Sequence, residues 1–252
     1  MHTLEPSRWL AAPDGYTLLF GAYLEMGAVL GLFSNLPYDP EKDFQPIAAT
    51  GRSCAALLAH RSLKVETTQQ LVSYLKQHPG ELSYASAGLG TPQHVLMEKL
   101  KQAAGVDIKA VHYKGSGQAM PDVIWGRVPV MFDYPQSSAA HVRAGTLVAL
   151  MTGCTHRIDI YPDVPSAREA GFPTVEVRTW GGFFAPAGTP RPIVERLNRE
   201  LNNIQRSPDV RSHLAYVGAE ISPMTPDEFA QFIREDRPRW LELLRAAGIK
   251  PE

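Results

Sequence analysis

SYASAGLGTPQH (residues 83–94) and IKAVHYKGSGQA (residues 108–119) share one grammar: a short apolar run, a glycine-bearing loop, and the opening of a helix. In the first, Gly88 and Gly90 admit backbone conformations closed to other residues, Thr91 offers a capping hydroxyl, and Pro92 suits a first helical position. In the second, Gly115, Ser116 and Gly117 follow the run at the same offset. Beyond them the pattern continues: LSYASAG, a helix from Pro92 to about Ala104, IKAVHY, a short helix to Trp125, VPVMFDY, a helical turn near Ser137 to Arg143, and LVALMTG. Strand and helix alternating in this way predict βαβ units, a mainly parallel sheet flanked by helices, and the α/β class.

Upstream, Tyr16 to Gly21 reads as a strand, LPYDPEKDFQPI as a polar connection with three prolines, and Ala55 to His60 as an apolar strand. A helix follows, capped by Thr67 with Gln70 three residues on. The last third reads as chiefly helical. There Thr189 and Pro190 start a helix whose apolar face is Ile193, Leu197, Leu201 and Ile204. Thr225 and Glu228 start another with the stripe Phe229, Phe232, Ile233, Trp240 and Leu244, and Pro238 is expected to kink it.

Composition narrows the function. The 252 residues carry 25 basic and 26 acidic side chains, interspersed, which gives no footprint for nucleic acid or an anionic membrane. No run is long enough to span a bilayer, so no direct membrane insertion is expected, and MHTLEPSRWLAAPDG lacks the layout of an export signal. Cys54 and Cys154 stand too far apart for a zinc or redox motif; they permit one disulfide, and two buried thiols are the favoured reading. The histidines show no HExxH or HxH spacing, and Gln93 occupies the third glycine position of a dinucleotide fingerprint, so no metal and no cofactor is expected.

In a parallel sheet ligands settle beyond the carboxyl ends of the strands. Both glycine loops open there, each followed by a helix whose first amides point into the loop, which makes an anion site. A third strand end offers Asp133 and Tyr134. The catalytic alternative is a hydrolase or proton-transfer enzyme using Ser86 or Ser116 with His94 or Asp133, but neither serine lies in a GxSxG elbow.

APDGYTLL, LPYDPEKDFQPI, YASAGLGTPQH, VHYKGSGQAMPDVIWGRVPVMFD, YPDVPSAREAGFP, TWGGFFAPAGTPRPIVERLNREL and TPDEFAQFIREDRPRWLELLRAAGIKPE resemble, in order, blocks of the tripartite tricarboxylate transporter receptor family, the Bug or TctC-type periplasmic solute-binding proteins. The resemblance covers Ala11 to Glu252. It implies a two-lobed, type II Venus-flytrap protein without catalytic activity that captures a small carboxylate in the periplasm and passes it to membrane permease subunits. A ligand sensor signalling to a protein partner is the remaining alternative. Lobe one would comprise residues 1–57 and 179–252, lobe two 58–178, with crossings near Ala55 to His60 and Thr179 to Phe184.

Carried over residue by residue, Ser86, Gly88, Gly90, Thr91 and His94 match the first family motif, Tyr113, Lys114, Gly115 and Ser116 the second, and Asp133 the third. The resemblance implies that amides and hydroxyls of Ser86 to Thr91 hold one carboxylate, with Ser116 and Asp133 setting the rest of the ligand. Trp180 matches a hinge-side aromatic, as ligand wall or as packing. Tyr23, with Leu24, Met26 and Val29, occupies a lobe-one loop and makes that expected wall more apolar than in the family. Family members carry an export signal, a first strand, a ligand-gripping loop, a helix and a second strand ahead of the position where MHTLEPSRW stands. Without that strand the lobe-one sheet is expected to show unpaired edges.

Overall fold

Ser83–Ser86 (β4) and Lys109–His112 (β5) lie side by side as parallel strands, Ser86 opposite His112, so both glycine loops leave the sheet at one edge. The computed structural model describes residues 11–33, 35–216 and 218–249; the opening MHTLEPSRW lies outside them. The other elements are β1 (Leu19–Ala22), α1 (Tyr23–Met26), β2 (Phe44–Ser53), β3 (Ala56–His60), α2 (Thr68–Gln77), α3 (Pro92–Ala104), α4 (Ser116–Ile124), β6 (Val130–Asp133), α5 (Pro135–Arg143), β7 (Leu147–Thr152), β8 (Thr179–Pro186), α6 (Arg191–Arg206), α7 (Pro208–Tyr216) and α8 (Pro226–Ala246). The chain separates into two compact units: the described parts of Met1–Arg52, Thr179–Ala215 and Ala219–Glu252 form unit 1, and those of Ser53–Arg178 and Tyr216–Gly218 form unit 2. β3, expected at a crossing, belongs whole to unit 2.

Unit 2 is a five-stranded sheet in the order β5-β4-β6-β3-β7. β5, β4 and β6 pair in parallel, whereas β3 runs antiparallel to both its neighbours, β6 and β7, so the sheet is mixed where a mainly parallel one was expected. The inner strands β3 and β6 read as continuous apolar runs because they are buried almost throughout, whereas the edge strand β5 is largely exposed. Leu58, Ala85, Val123 and Met131 share one core cluster. α3 begins at Pro92 and stops at Gly105, whose φ of 61° is the left-handed helix end that glycine takes without strain.

The same unit holds the two cysteines. Cys54 and Cys154 are buried and form a disulfide with a Cα–Cα distance of 5.5 Å, which overturns the expectation of two free thiols. Sequence separation hid the pairing. Cys54 stands two residues before Ala56 and Cys154 two after Thr152, and Ala56 and Thr152 are register partners of β3 and β7.

Unit 1 is a three-stranded sheet in the order β1-β8-β2. β2 is a correction, because its first four residues, Phe44 to Ile47, are extended chain at the end of a segment whose prolines suggested a connection. β2 is an edge strand, where Pro46 deprives the ladder of little. α6 keeps part of its expected face, since Leu197 and Leu201 pack, partly buried, against the cluster of Ile47, Ala48, Ala185 and Val194. Its most buried side chains are nonetheless Val194, Asn198, Asn202 and Gln205, and Ile204 is 56% exposed. The amides face inward because edge carbonyls of β2 need donors: Asn198 Nδ2 donates to the Ile47 carbonyl at 2.7 Å and Gln205 Nε2 to that of Ala49 at 2.8 Å. β1 is the opposite edge, and Phe20 within it and Tyr16 just before it are exposed.

α8 carries the capping box expected of Thr225 and Glu228 and runs unbroken through Pro238. It buries Phe229, Ile233, Trp240 and Leu244. Phe229 seats on Gly182 in the middle strand: a Cβ there would meet the Phe229 ring at 2.5 Å and the Ala48 carbonyl oxygen at 2.9 Å. Gly182→Ala is therefore expected to lower the stability of unit 1 by about 2 kcal/mol, since a ring and a backbone atom must both move. Adding Phe229→Leu should recover part of that loss in urea melts, because the two side chains share the space. Unchanged melting of Gly182→Ala would contradict the close seat.

Candidate functional site

The connection after β4 leads to β5 on one side, and the connection after β6 leads toward β7 on the other, although β4 and β6 are neighbours. Between their carboxyl ends lies the switch point of the sheet, the place where α/β folds leave a crevice. Ser86, His112 and Asp133 close the three parallel strands there, and three helices start from the loops that follow.

The first loop is self-bonded. Gly88 (φ 138°) and Gly90 (φ 72°) take backbone positions that favour glycine. The Gly88 amide donates to Ser86 Oγ at 3.3 Å and the Gly90 amide to His94 Nδ1 at 3.1 Å. Thr91 is the residue that precedes α3, but its hydroxyl turns back to the Gly88 carbonyl at 2.8 Å and does not cap the helix. The Gly88 and Gly90 amides and the Thr91 hydroxyl, among the donors expected to grip a carboxylate, are thus engaged in holding the loop's own shape.

What remains are the helix openings. No side chain caps α3, α4 or α5, whose N-cap residues are Thr91, Gly115 and Tyr134. By contrast Thr67 caps α2 and Thr225 caps α8 with their hydroxyls. The first-turn amides of Gln93, His94, Ser116 and Gly117 have no helical acceptor, and each helix adds its partial positive end. Gly115, at φ 118°, sets the direction in which α4 begins.

Asp133 ties these openings together. It is fully buried. Its Oδ1 accepts from Ser116 Oγ at 2.8 Å and Gln93 Nε2 at 3.3 Å, and its Oδ2 from Ser137 Oγ at 2.5 Å. One carboxylate of β6 therefore holds a residue in the first turn of each of three helices. Because both serine hydroxyls give their proton to Asp133, they face any ligand as acceptors only.

Behind the first loop two imidazoles meet edge to face with centroids 4.6 Å apart, those of His94 and His112. Burial pushes His94 down to about 4, helped by the neighbouring His112, and burial likewise lowers His112. Both are neutral at pH 7. His94 Nδ1 accepts from Gly90, so its proton sits on Nε2. His112 Nδ1 bonds Ser86 Oγ at 2.7 Å.

Of the pairs named for the catalytic alternative, Ser116 with Asp133 forms, at 2.8 Å, whereas Ser86 meets His112 and His94 serves the loop backbone. Ser86 has no exposed surface. Lys114 is exposed beside the second loop, and the Tyr113 hydroxyl donates to Asp122 at 2.7 Å. Among the described residues no cluster of three or more His, Cys, Asp or Glu side chains could hold a metal ion, and no helix is long and apolar enough to cross a membrane.

Two residues expected at the site lie in the interior of unit 1. The Tyr23 ring stacks on Trp240 at 4.3 Å, and Met26 and Val29 are buried with it. Trp180 is buried, its Nε1 donates to Asp236 at 2.7 Å, and its ring meets Phe229 edge to face. The apolar character of GAYLEMGAVLG therefore serves packing. Three site groups escaped sequence reasoning: Gln93, whose signal is its place in the first turn after Thr-Pro, Ser137, four residues beyond Asp133, and His112 as the partner of Ser86, which only strand register reveals.

Comparison with known proteins places this geometry. BugT of Bordetella pertussis is 33% identical over 241 residues, spanning 95% of this chain and 74% of BugT. Among solved structures, Rhodopseudomonas palustris Rpa4515 with adipate superposes with a TM-score of 0.92 at 31% identity, over 98% of this chain and 83% of that one. MatC from the same organism, with bound malate, superposes with a TM-score of 0.83 at 34% identity, over 95% of this chain and 82% of that one. The family model of the tripartite tricarboxylate transporter receptors matches residues 8–249, and the chain belongs to that family.

Proposed function

We propose that this chain is a solute-binding receptor that takes a small di- or tricarboxylate at the carboxyl edge of the unit 2 sheet and delivers it, in the periplasm, to the permease of a tripartite transporter. The observation that carries the reading is the convergence of three uncapped helix openings, α3, α4 and α5, on the one buried carboxylate of Asp133. Backbone amides at such openings bind anions without a dedicated arginine, each dipole contact contributing about 0.3–1 kcal/mol and more where water is excluded. The ligand carboxylate sits on the first-turn amides of Gln93, His94, Ser116 and Gly117. Ser116 and Ser137, as acceptors, suit a ligand hydroxyl, and Lys114 reaches a second charge.

The reading is non-catalytic. Ser86 is buried, and its hydroxyl is tied to the loop backbone, within 3.3 Å of both the Gly88 amide and the Gly88 carbonyl. The relatives bound to adipate and malate point to ligands of that size.

Calorimetric titration with adipate, malate, succinate and citrate, each against its amide, tests the proposal. One acid should bind at a single site with a Kd below about 1 mM, which is about 4 kcal/mol, while its amide stays silent. Saturable turnover of a carboxylic ester, or a folded chain indifferent to every acid, would overturn it.

A further inference from the structure

Unit 1 has a cavity of its own, of about 240 Å³, between α8, α1 and the ends of β2 and β8. Its walls include Met26, Phe44, Phe184 and Ile233, all buried. An enclosed apolar space of about 150 Å³ accepts benzene, so this one has room for roughly nine non-hydrogen atoms.

Two arginines of α8 line the same space. The Arg237 side chain is only 12% exposed; it pairs with Glu41 and donates to the Met26 carbonyl at 3.3 Å. Its Nε is buried without an acceptor among the described residues. Arg234, one turn earlier, is exposed and makes no ion pair among the described residues. Asp39, whose charge also acts on Arg237, is held by Lys42 at 2.8 Å.

A guanidinium is expensive to bury, and its fork is made to be filled by an oxyanion. A methionine or leucine at position 237 would close the cavity without leaving a buried donor unmet. The two arginines against Glu41 leave one positive charge on the polar side of a half-open cleft whose other side is apolar.

We propose that this cavity is a second ligand site, independent of the one in unit 2, for a small apolar monocarboxylate of benzoate or hexanoate size, its carboxylate on the Arg234 and Arg237 guanidinium groups and its body against Met26, Phe44, Phe184 and Ile233. A second carboxylate would have to lie on those apolar walls, so dicarboxylates are disfavoured here. Selectivity is thus the reverse of that proposed for unit 2.

The probe is the Met26 methyl group, observed by NMR in protein labelled with ¹³C-methyl methionine and assigned through Met26→Leu. Benzoate and hexanoate should move its resonance saturably, while benzamide and adipate leave it in place at the same concentrations. Ala230→Leu, which fills the cavity from α8, and Arg237→Met should each weaken the response at least tenfold. Should Arg237→Met fail to fold, Ala230→Leu still decides. Ser116→Ala, in unit 2, should leave the response unchanged.

A Met26 resonance unmoved by about 10 mM benzoate, or moved equally by benzamide or adipate, overturns the proposal. So does loss of the response in Ser116→Ala, which would assign the binding to unit 2. Absence of adipate or malate binding elsewhere on the chain would count against the receptor reading alone.

Discussion

Replacing Cys54 and Cys154 together by alanine is expected to lower the unfolding free energy by about 4 kcal/mol. The bridge spans a sequence separation of 100 residues, so it removes much conformational freedom from the unfolded chain, for which the chain-entropy model gives about 4.7 kcal/mol. Most of unit 2's sheet lies inside that loop. The bridge also fastens the start of β3 to the end of β7 at the edge where the helices α3 to α5 open, and Gly153 reinforces the same corner by donating to the Ala55 carbonyl at 2.8 Å.

Urea melts of the oxidised protein, the reduced protein and the double variant separate the bond from the side chains. Reduction alone should cause most of the loss, and the slope of the transition should rise, because an unbridged unfolded chain exposes more surface. The effect belongs to unit 2, since both cysteines and the loop between them lie in it. Oxidised and reduced forms melting at the same urea concentration would sink the claim. An oxidising compartment such as the periplasm is where a bond of this kind persists.

The residues most legible in the sequence are those whose backbone chemistry is local. SYASAGLGTPQH announces a strand, a turn with positive φ and a helix start, and the structure ends β4 at Ser86 and begins α3 at Pro92. Thr225 and Glu228 announce a capping box, which forms. The site was legible as a place, the shared edge of consecutive βα units, because that follows from topology. Its hydrogen bonds were not. Thr91 looks like a cap in one dimension, yet the carbonyl of Gly88 curls within reach of its hydroxyl and takes it.

The misses share a cause. Tyr23, Met26 and Val29 looked like a binding wall because an apolar loop has two explanations, and only the stacking on Trp240, more than two hundred positions away, decides for packing. β2 was masked by Pro46, which an edge strand tolerates, and edge status is a property of the sheet and not of the segment. The α6 stripe misled for a related reason: apolar periodicity reports where oil can go, whereas the inward face was decided by unpaired carbonyls of β2 that asparagine and glutamine satisfy. In each case the deciding partner lies far along the chain.

Asp133→Ala is expected to weaken carboxylate binding at least a hundredfold and to lower the stability of unit 2 by about 3 kcal/mol, whereas Asp133→Asn should keep most of that stability. Alanine leaves a void where the carboxylate stood and takes the acceptor from the half-buried Ser116 hydroxyl and one acceptor from the buried Gln93 amide, at about 1 kcal/mol or more each, while the exposed Ser137 falls back on the Tyr134 carbonyl at 2.9 Å. Asparagine retains one acceptor oxygen, and the Ser137 hydroxyl can rotate to accept from the new amide. The loss of binding follows from geometry. α3, α4 and α5 begin on separate loops, and the only group that bonds to the first turns of all three among the described residues is this carboxylate. Released from it, the helix openings keep their dipoles but lose their common aim, and a carboxylate ligand meets amides that must first be ordered. The charge of Asp133 acts the other way, since it repels an anion. Asparagine removes that repulsion while holding two helices in place, so its affinity should stay within about tenfold of the parent. Calorimetry on the parent and both variants reads all of this. A folded Asp133→Ala protein that binds as the parent does would show that the three openings need no common anchor, and the anion would then have to be held by the self-bonded loop of Gly88 to Thr91 after all.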